Sequence, residues 1–271
     1  MSDKPKAGVA LGSTIEGGRE RWPILLVKRL ALLLVILVLW EYAAGRWIAP
    51  FWISQPTDIA KRLVDWFQHK NLMFHVWTTV LEAAVGFLVG TAAGGAAGFL
   101  LGWFQRLADL LDPFIIAIYS LPKVALAPLF ILWFGIGFEM KVILTGVIVF
   151  FLVFFNTYSG VRDTSRELVD IIRLMGASTT EVMWRVVLPS ALTAIFVGLR
   201  VSVPYALIGA VVGEMMASNR GVGYLIMEST GQFDTSGAFA ALLVLIVIST
   251  TFNGVIVRLE RYLLRWKEVQ R

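Results

Sequence analysis

The sequence predicts an all-α membrane protein with about six transmembrane helices. Three observations carry that expectation. Of the 271 residues, 58% are hydrophobic and 16% are charged, where soluble domains hold about 45–50% and about 25%. Six apolar stretches lie near 30–48, 80–103, 113–134, 141–160, 191–212 and 238–257, and each approaches the roughly 20 residues that cross a bilayer core. The basic residues are also unevenly placed. With a cytoplasmic N-terminus, the inner segments hold sixteen Lys/Arg: Lys4, Lys6, Arg19, Arg21, Lys28 and Arg29; Arg106; Arg162, Arg166, Arg173 and Arg185; and Arg258, Arg261, Arg265, Lys267 and Arg271. The outer segments hold six: Arg46, Lys61, Arg62, Lys70, Lys141 and Arg220. This obeys the positive-inside rule and puts both termini in the cytoplasm.

The six stretches leave room for an N-terminal tail (1–23), a transmembrane domain (24–262) and a C-terminal tail (263–271), and for no separate soluble domain. No GxxxxGK[ST] stretch is present, so if ATP is used, another chain binds it. With no cysteine, disulfides, Cys-based zinc sites and thiol catalysis are excluded. His69 and His75 fall in the first outer loop without metal-ligand spacing. No catalytic residue and no metal site is expected. The net charge of +5 follows from topology and does not point to nucleic acid.

Residues 1–20, rich in Gly and charge, are expected to be disordered. The apolar run Leu30–Trp40 lacks a convincing cleavage site after it, so it reads as a retained first helix whose outer end is anchored by Trp40, Tyr42, Trp47 and Trp52. In the outer loop 49–79, Thr57 or Asp58 is placed to cap a short helix, Ile59–Phe67, lying at the membrane surface. The second span carries Gly86, Gly90, Gly94, Gly98 and Gly102, a four-residue ladder that lets another helix of the chain approach closely. Because four residues turn about 400°, the ladder winds around its helix and suits a crossed pair better than a long parallel seam.

The third span contains Pro113, Pro122 and Pro128, so it should bend or break. Lys123 sits beside the break. It either lines a solute route together with Pro122, or is a structural partner of a carboxylate such as Glu82, or reaches a watery vestibule. The fifth span adds Arg200, Pro204 and Glu214 as further route candidates. Two intramembrane cations without a visible carboxylate pair favour an anionic cargo over proton coupling. Gly221-Val222-Gly223 indicates a tight backbone turn.

Between the fourth and fifth spans runs a polar loop, 163–189, reading DTSRELVDIIRLMGASTTEVMWRVVLP. Glu167–Met175 forms a helix with Leu168, Ile171, Ile172 and Met175 on one side, and Gly176 ends it. Thr179-Thr180-Glu181 starts a second short helix that runs to Val187 and stops at Pro189. By spacing alone this hairpin is either a docking surface for a soluble partner or an amphipathic connector resting on lipid headgroups.

Gly176, nine residues, then Val186-Val187-Leu188-Pro189 resembles the EAA loop of ATP-binding-cassette (ABC) importer permeases. SLPKVALAPLFILWFGIGFEMK (120–141), GAS (176–178), GLR (198–200), VVGEM (211–215) and GVGYLI (221–226) are similar to the nitrate/sulfonate/taurine branch, over about 30–265. In place of the family's Glu stands Asp170, and its two alanines are Ile171 and Ile172. The resemblance implies a type I (MetI-like) fold in a bacterial inner membrane. The loop would then be a cytoplasmic coupling helix, with Asp170, Arg173, Gly176, Ala177, Ser178, Glu181, Leu188 and Pro189 transmitting force. It also implies a second permease copy, two ATPase subunits carrying ATP and Mg, and a periplasmic solute-binding protein. The implied function is inward transport of a small, anionic solute: a sulfonate or taurine, nitrate, bicarbonate or a carboxylate. The rivals are a self-contained secondary transporter, which needs its own coupling-ion site, and an assembly subunit that transports nothing.

Overall fold

The architecture follows from where the apolar helices find partners. The computed structural model describes residues 22–49 and 51–265, so the expectations for 1–20, for Lys4, Lys6, Arg19, Arg21, Lys267 and Arg271 and for most of the C-terminal tail lie outside the described residues. The helices are α1 (Trp22–Ala43), α2 (Pro56–His69), α3 (Leu72–Trp103), α4 (Gln105–Tyr119), α5 (Ala127–Phe134), α6 (Phe138–Arg162), α7 (Arg166–Leu174), α8 (Thr179–Val182), α9 (Leu188–Met216), α10 (Val222–Gly231) and α11 (Thr235–Leu263). A 3₁₀ turn, Lys123–Leu126, precedes α5, and a π turn, Met183–Val187, joins α8 to α9.

Among the described residues, four helices are long and apolar enough to cross a membrane: α3, α6, the continuous Thr179–Met216 helix and α11. The bent pair α4 and Lys123–Phe134 makes a fifth. The sixth expected span falls on α1, displaced toward the N-terminus and ending at Ala43 rather than 48. It contains Lys28, Arg29 and Glu41, which confine its uncharged apolar run to Leu30–Trp40. That run, at 1.5 Å per residue, is only about half the thickness of a bilayer core. From Ile24 to Leu39, α1 is exposed or partly exposed all round. Its end is fixed by Thr57, whose hydroxyl and N–H donate to Glu41, and by Trp40 against Phe239 at 5.9 Å. Tyr42, Trp47 and Trp52 are exposed, as interfacial anchors are.

α6 is the central helix, with α3 packed on one side and α9 on the other. The glycine ladder forms the α3–α6 contact along its whole length. A Cβ added at Gly86, Gly90, Gly94, Gly98 or Gly102 would meet, in turn, Thr145, Gly146, Phe150, Phe154 and Val161, all within 2.4–2.7 Å. Both stripes ascend together, so the helices run parallel. This corrects the expectation of a crossed pair. The facing positions on α6 also advance by about four residues, so the two stripes drift in the same sense and the helices can wrap without losing the seam. α9 runs antiparallel to α6, with Gly160 beside Ala194, Gly198 beside Asn156 and Gly209 beside Thr145.

Three other elements differ from expectation. α3 begins at Leu72, so His75 belongs to this 32-residue helix rather than to a loop. α2 is capped by Gln55, with Pro56 in its first turn and no side-chain capping bond; Thr57 and Asp58 lie inside it. Proline's fixed φ suits that first position. The helix that starts at Thr179 does not stop at Pro189 but runs on to Met216, with Pro189 in the first turn of α9. There its missing N–H is tolerated, because the wider π turn just before it already departs from the α-helical bonding ladder. The third span breaks as expected. Its two halves meet at 76° across Ser120–Pro122, whereas Pro113 stays inside α4 and Pro128 opens α5.

Candidate coupling loop and intramembrane polar sites

The α7–α8 hairpin is built by local hydrogen bonds. The Ser165 hydroxyl accepts from Leu168 N–H at 3.4 Å, capping α7. At the other end Gly176 N–H donates to Arg173 O at 2.9 Å and Ala177 N–H to Ile172 O at 3.1 Å. This pair of bonds is a Schellman motif, which requires a left-handed residue. Gly176 supplies it at φ +89°. Ser178 and Glu181 form a reciprocal capping box: Glu181 N–H donates to the Ser178 hydroxyl at 3.3 Å and Ser178 N–H to the Glu181 carboxylate at 2.9 Å. Arg185 pairs with the same carboxylate at 3.4 Å.

The apolar residues of the hairpin divide into two sets. Val169, Ile172 and Ala177 pack on Val161, Val182, Val187 and Ala191, with Phe99 and Trp103 alongside. Leu168, Ile171, Leu174 and Met175 face outward, Leu174 and Met175 at 88% and 81% exposure. Ile172 is therefore not on the face of Leu168, Ile171 and Met175, as its spacing suggested. Leu174 was missed in the sequence reading; its signal was an apolar residue held between Arg173 and the turn glycine. Asp170, Arg173 and Ser178 are exposed, while Leu188 and Pro189 are half-buried where the helix enters the bundle.

The expected route residues are not gathered in one place. Lys123 follows the break, with Pro122 exposed beside it. Its ammonium donates to the Tyr119 carbonyl and lies 3.9 Å from the Tyr119 ring centroid and 5.0 Å from that of Phe151. Glu82 is not its partner. Arg200 and Pro204 are exposed on α9, and Arg200 is ion-paired with Glu260 of α11.

Among the described residues, the buried cation is Lys141, assigned by sequence to an outer segment. It is 3% exposed and donates to Glu82 at 2.8 Å and to the Ser218 hydroxyl at 2.9 Å. Glu82 and Glu214 are 0% and 1% exposed. Glu214 accepts from the Thr79 hydroxyl and from Gly223 N–H, each at 2.7 Å, and Thr79 accepts from Val222 N–H at 2.8 Å. His75 accepts from Gly221 N–H at 3.1 Å and stacks on Tyr224. Glu214 thus lies among protein groups that hold the start of α10. Glu82 and Glu214 are 132 residues apart, and the packing of α3, α6 and α9 buries both at the same end of the bundle. Gly221, at φ +102°, admits no side chain, because a Cβ would fall 2.1 Å from the Glu214 carboxyl carbon.

Comparison with known proteins agrees with this architecture. Residues 86–265 match the family described as "Binding-protein-dependent transport system inner membrane component". The formylaminopyrimidine transport permease protein ThiX of Halalkalibacterium halodurans is 33% identical over 88% of this chain and 94% of its own. The putative aliphatic sulfonates transport permease protein SsuC of Bacillus subtilis is 32% identical over 92% and 90%. The taurine transport system permease protein TauC of Escherichia coli is 28% identical over 92% and 94%. Among solved structures, an inward-facing form of the MetNI methionine ABC transporter superposes with a TM-score of 0.63 over 70% of this chain and 95% of that one, at 17% identity. The chain belongs to the binding-protein-dependent transport system inner membrane component family and is a permease of an ABC importer.

Proposed function

We infer that the α7–α8 hairpin is the surface through which an ATPase subunit drives this permease, and that the cargo is a small anionic solute delivered by a binding protein. The observation that carries the first part is the exposed apolar face Leu168–Ile171–Leu174–Met175. It sits on a hairpin whose inner residues are anchored to the bundle, and whose second helix continues as the 38-residue helix Thr179–Met216. A push on that face is passed directly into the membrane. Asp170 and Arg173 border it as charged contacts, whereas Glu181 serves the hairpin's own capping box.

Lys28, Arg29, Arg106, Arg162, Arg166, Arg173, Arg185 and Arg258 gather toward the hairpin end, which supports placing that end in the cytoplasm. On this reading two copies of the chain, two ATPases and a periplasmic binding protein make the transporter of an inner membrane, and ATP and Mg are held by the ATPases. The named cargoes of relatives range from aliphatic sulfonates and taurine to formylaminopyrimidine and riboflavin; all are small solutes, and only the first two bear the anionic group that this reading assigns. Lys123 supports it from this chain: among the described residues its contacts are a carbonyl and two rings, with no carboxylate.

The test is ATP hydrolysis in lipid nanodiscs by the permease–ATPase complex, with and without a binding protein loaded from a panel of small anions. Gly176→Asp should assemble in the membrane yet lose the stimulation. Undiminished stimulation of that variant would sink the coupling assignment. Stimulation by a loaded cation alone would overturn the anionic cargo.

A further inference from the structure

We propose that His75 is a proton-sensitive latch: while neutral it accepts the Gly221 N–H and ties the start of α10 to α3, and protonation of the ring releases that tie. α10 has no capping side chain of its own. Three consecutive N–H groups at its start are instead accepted by side chains of other helices: Gly221 by His75 Nδ1 at 3.1 Å, Val222 by Thr79 at 2.8 Å and Gly223 by Glu214 at 2.7 Å. His75 and Thr79 stand one turn apart on α3, so both reach the same helix end. Gly221 is buried, and a buried N–H that loses its acceptor is costly. Of the three acceptors His75 is the one open to protons from water. It is half-buried, whereas Thr79 and Glu214 are 0% and 1% exposed.

The bond fixes the state of the ring. A backbone N–H only donates, so Nδ1 keeps its lone pair free and the proton of the neutral ring is on Nε2. An imidazolium carries a proton on both nitrogens. Its Nδ1–H would face the Gly221 N–H, donor against donor. Its charge would also lie at the N-terminal end of a helix, which disfavours cations. The surroundings supply no free carboxylate to offset this. Tyr224 of α10 stacks on the ring. Glu228, a turn further along α10, is paired at 2.8 Å with Lys70 at the end of α2. Glu214 of α9 is engaged by Thr79 and Gly223, Glu82 of α3 is paired with Lys141 of α6, and Arg220 before α10 adds positive charge. The tie is therefore present while the ring is neutral and is lost as pH falls through the imidazole range, about pH 8 to 5. On the topology inferred above, this end of the bundle faces the periplasm, so the latch senses outside pH; the compartment rests on that reading, the latch does not.

The experiment is nitrogen NMR of the full chain in lipid nanodiscs with isotope-labelled histidine, together with amide hydrogen exchange; it needs no ATPase and no cargo. The chain has two histidines, and His69→Gln, at an exposed position of α2, leaves His75 as the one signal. At about pH 8 the ring should be neutral with its proton on Nε2. At about pH 5 it should be an imidazolium. Exchange of the Gly221 amide, corrected for the intrinsic effect of pH, should then be about fivefold faster, as for the loss of one hydrogen bond, and should follow the ring's own midpoint. His75→Asn puts an amide oxygen where Nδ1 stood and gains no charge, so Gly221 should stay protected at both pH values. His75→Phe keeps a ring against Tyr224 but has no acceptor, so Gly221 should exchange fast at both. A proton on Nδ1 at the higher pH overturns the proposal, as does a ring still neutral at the lower one. So does Gly221 protection that is unchanged while the ring titrates. The same acid-induced exchange in His75→Asn would place the sensor elsewhere and overturn it too.

Discussion

Two adjacent glycines of α3 should respond oppositely to the same methyl group. At Gly94 an added Cβ lies 2.4 Å from the Phe150 carbonyl oxygen and 3.1 Å from Phe150 C and Cα. These are main-chain atoms, which cannot rotate away. Restoring ordinary contact at 3.4 Å requires α3 and α6 to separate by about 1 Å, against an interior packed as densely as an organic crystal. Overpacking of that kind costs about 1–3 kcal/mol, and the better helix propensity of Ala returns at most about 1 kcal/mol. Gly94→Ala should therefore lose roughly 1–2 kcal/mol. At Gly95 the nearest atom is Val153 Cγ1 at 3.9 Å, so Gly95→Ala keeps the propensity gain and meets no clash. Unfolding titrations of the two variants in mild micelles, followed by tryptophan fluorescence, should differ by about 2 kcal/mol, or about 30-fold in the folded-to-unfolded ratio. If Gly95→Ala is as damaging as Gly94→Ala, the seam is not what holds these helices together.

Two more outcomes follow from the intramembrane cations. Lys141→Met strands Glu82 and should cost about 3–5 kcal/mol, the usual penalty for removing one partner of a buried pair; adding Glu82→Gln should recover part of it, and strict additivity in that double-mutant cycle would show that the pair is not coupled. Lys123→Ala removes a half-exposed ammonium that holds the carbonyl end of α4. It should reduce solute uptake by reconstituted complexes about tenfold or more, as loss of a positioned charge does, with little loss of folded yield, and an equal fall in both would mark it as structural.

The sequence made the secondary structure legible wherever one helix sufficed to explain a pattern. Pro122 announced the break, Gly176 the turn, and the 86–102 ladder a close helix contact, because each acts through its own backbone. What failed were statements needing a partner's position. The ladder's seam depends on where Val149, Phe150 and Phe154 of α6 stand, and nothing in α3 specifies that. Lys141 looked like a loop cation because it opens an apolar run, yet Glu82 draws it inside. Ile172 and Ile171 are neighbours of identical type, and only the bundle beneath α7 decides which is anchored and which is free. Pro189 misled because a proline stops a helix in its interior and not in its first turn.

One consequence lies in the helix Thr179–Met216. It is continuous over 38 residues, about 57 Å at 1.5 Å per residue, and its midpoint falls at Gly198, pressed against Asn156 of α6, where a Cβ would come within 2.8 Å of the Asn156 Cβ. A rod pivoting at its centre moves its two tips in opposite directions, to the extent that the π turn Met183–Val187 and the interior Pro204 do not bend. A tilt of about 10° carries each tip about 5 Å. The tip at Thr179 belongs to the hairpin, and the tip near Met216 carries Glu214. The broken α4–α5 pair has no such reach, because its 76° corner would absorb the motion. Among the described residues, this is the longest of the membrane-crossing helices, and it runs without a break from the hairpin to the end of the bundle that holds Glu214.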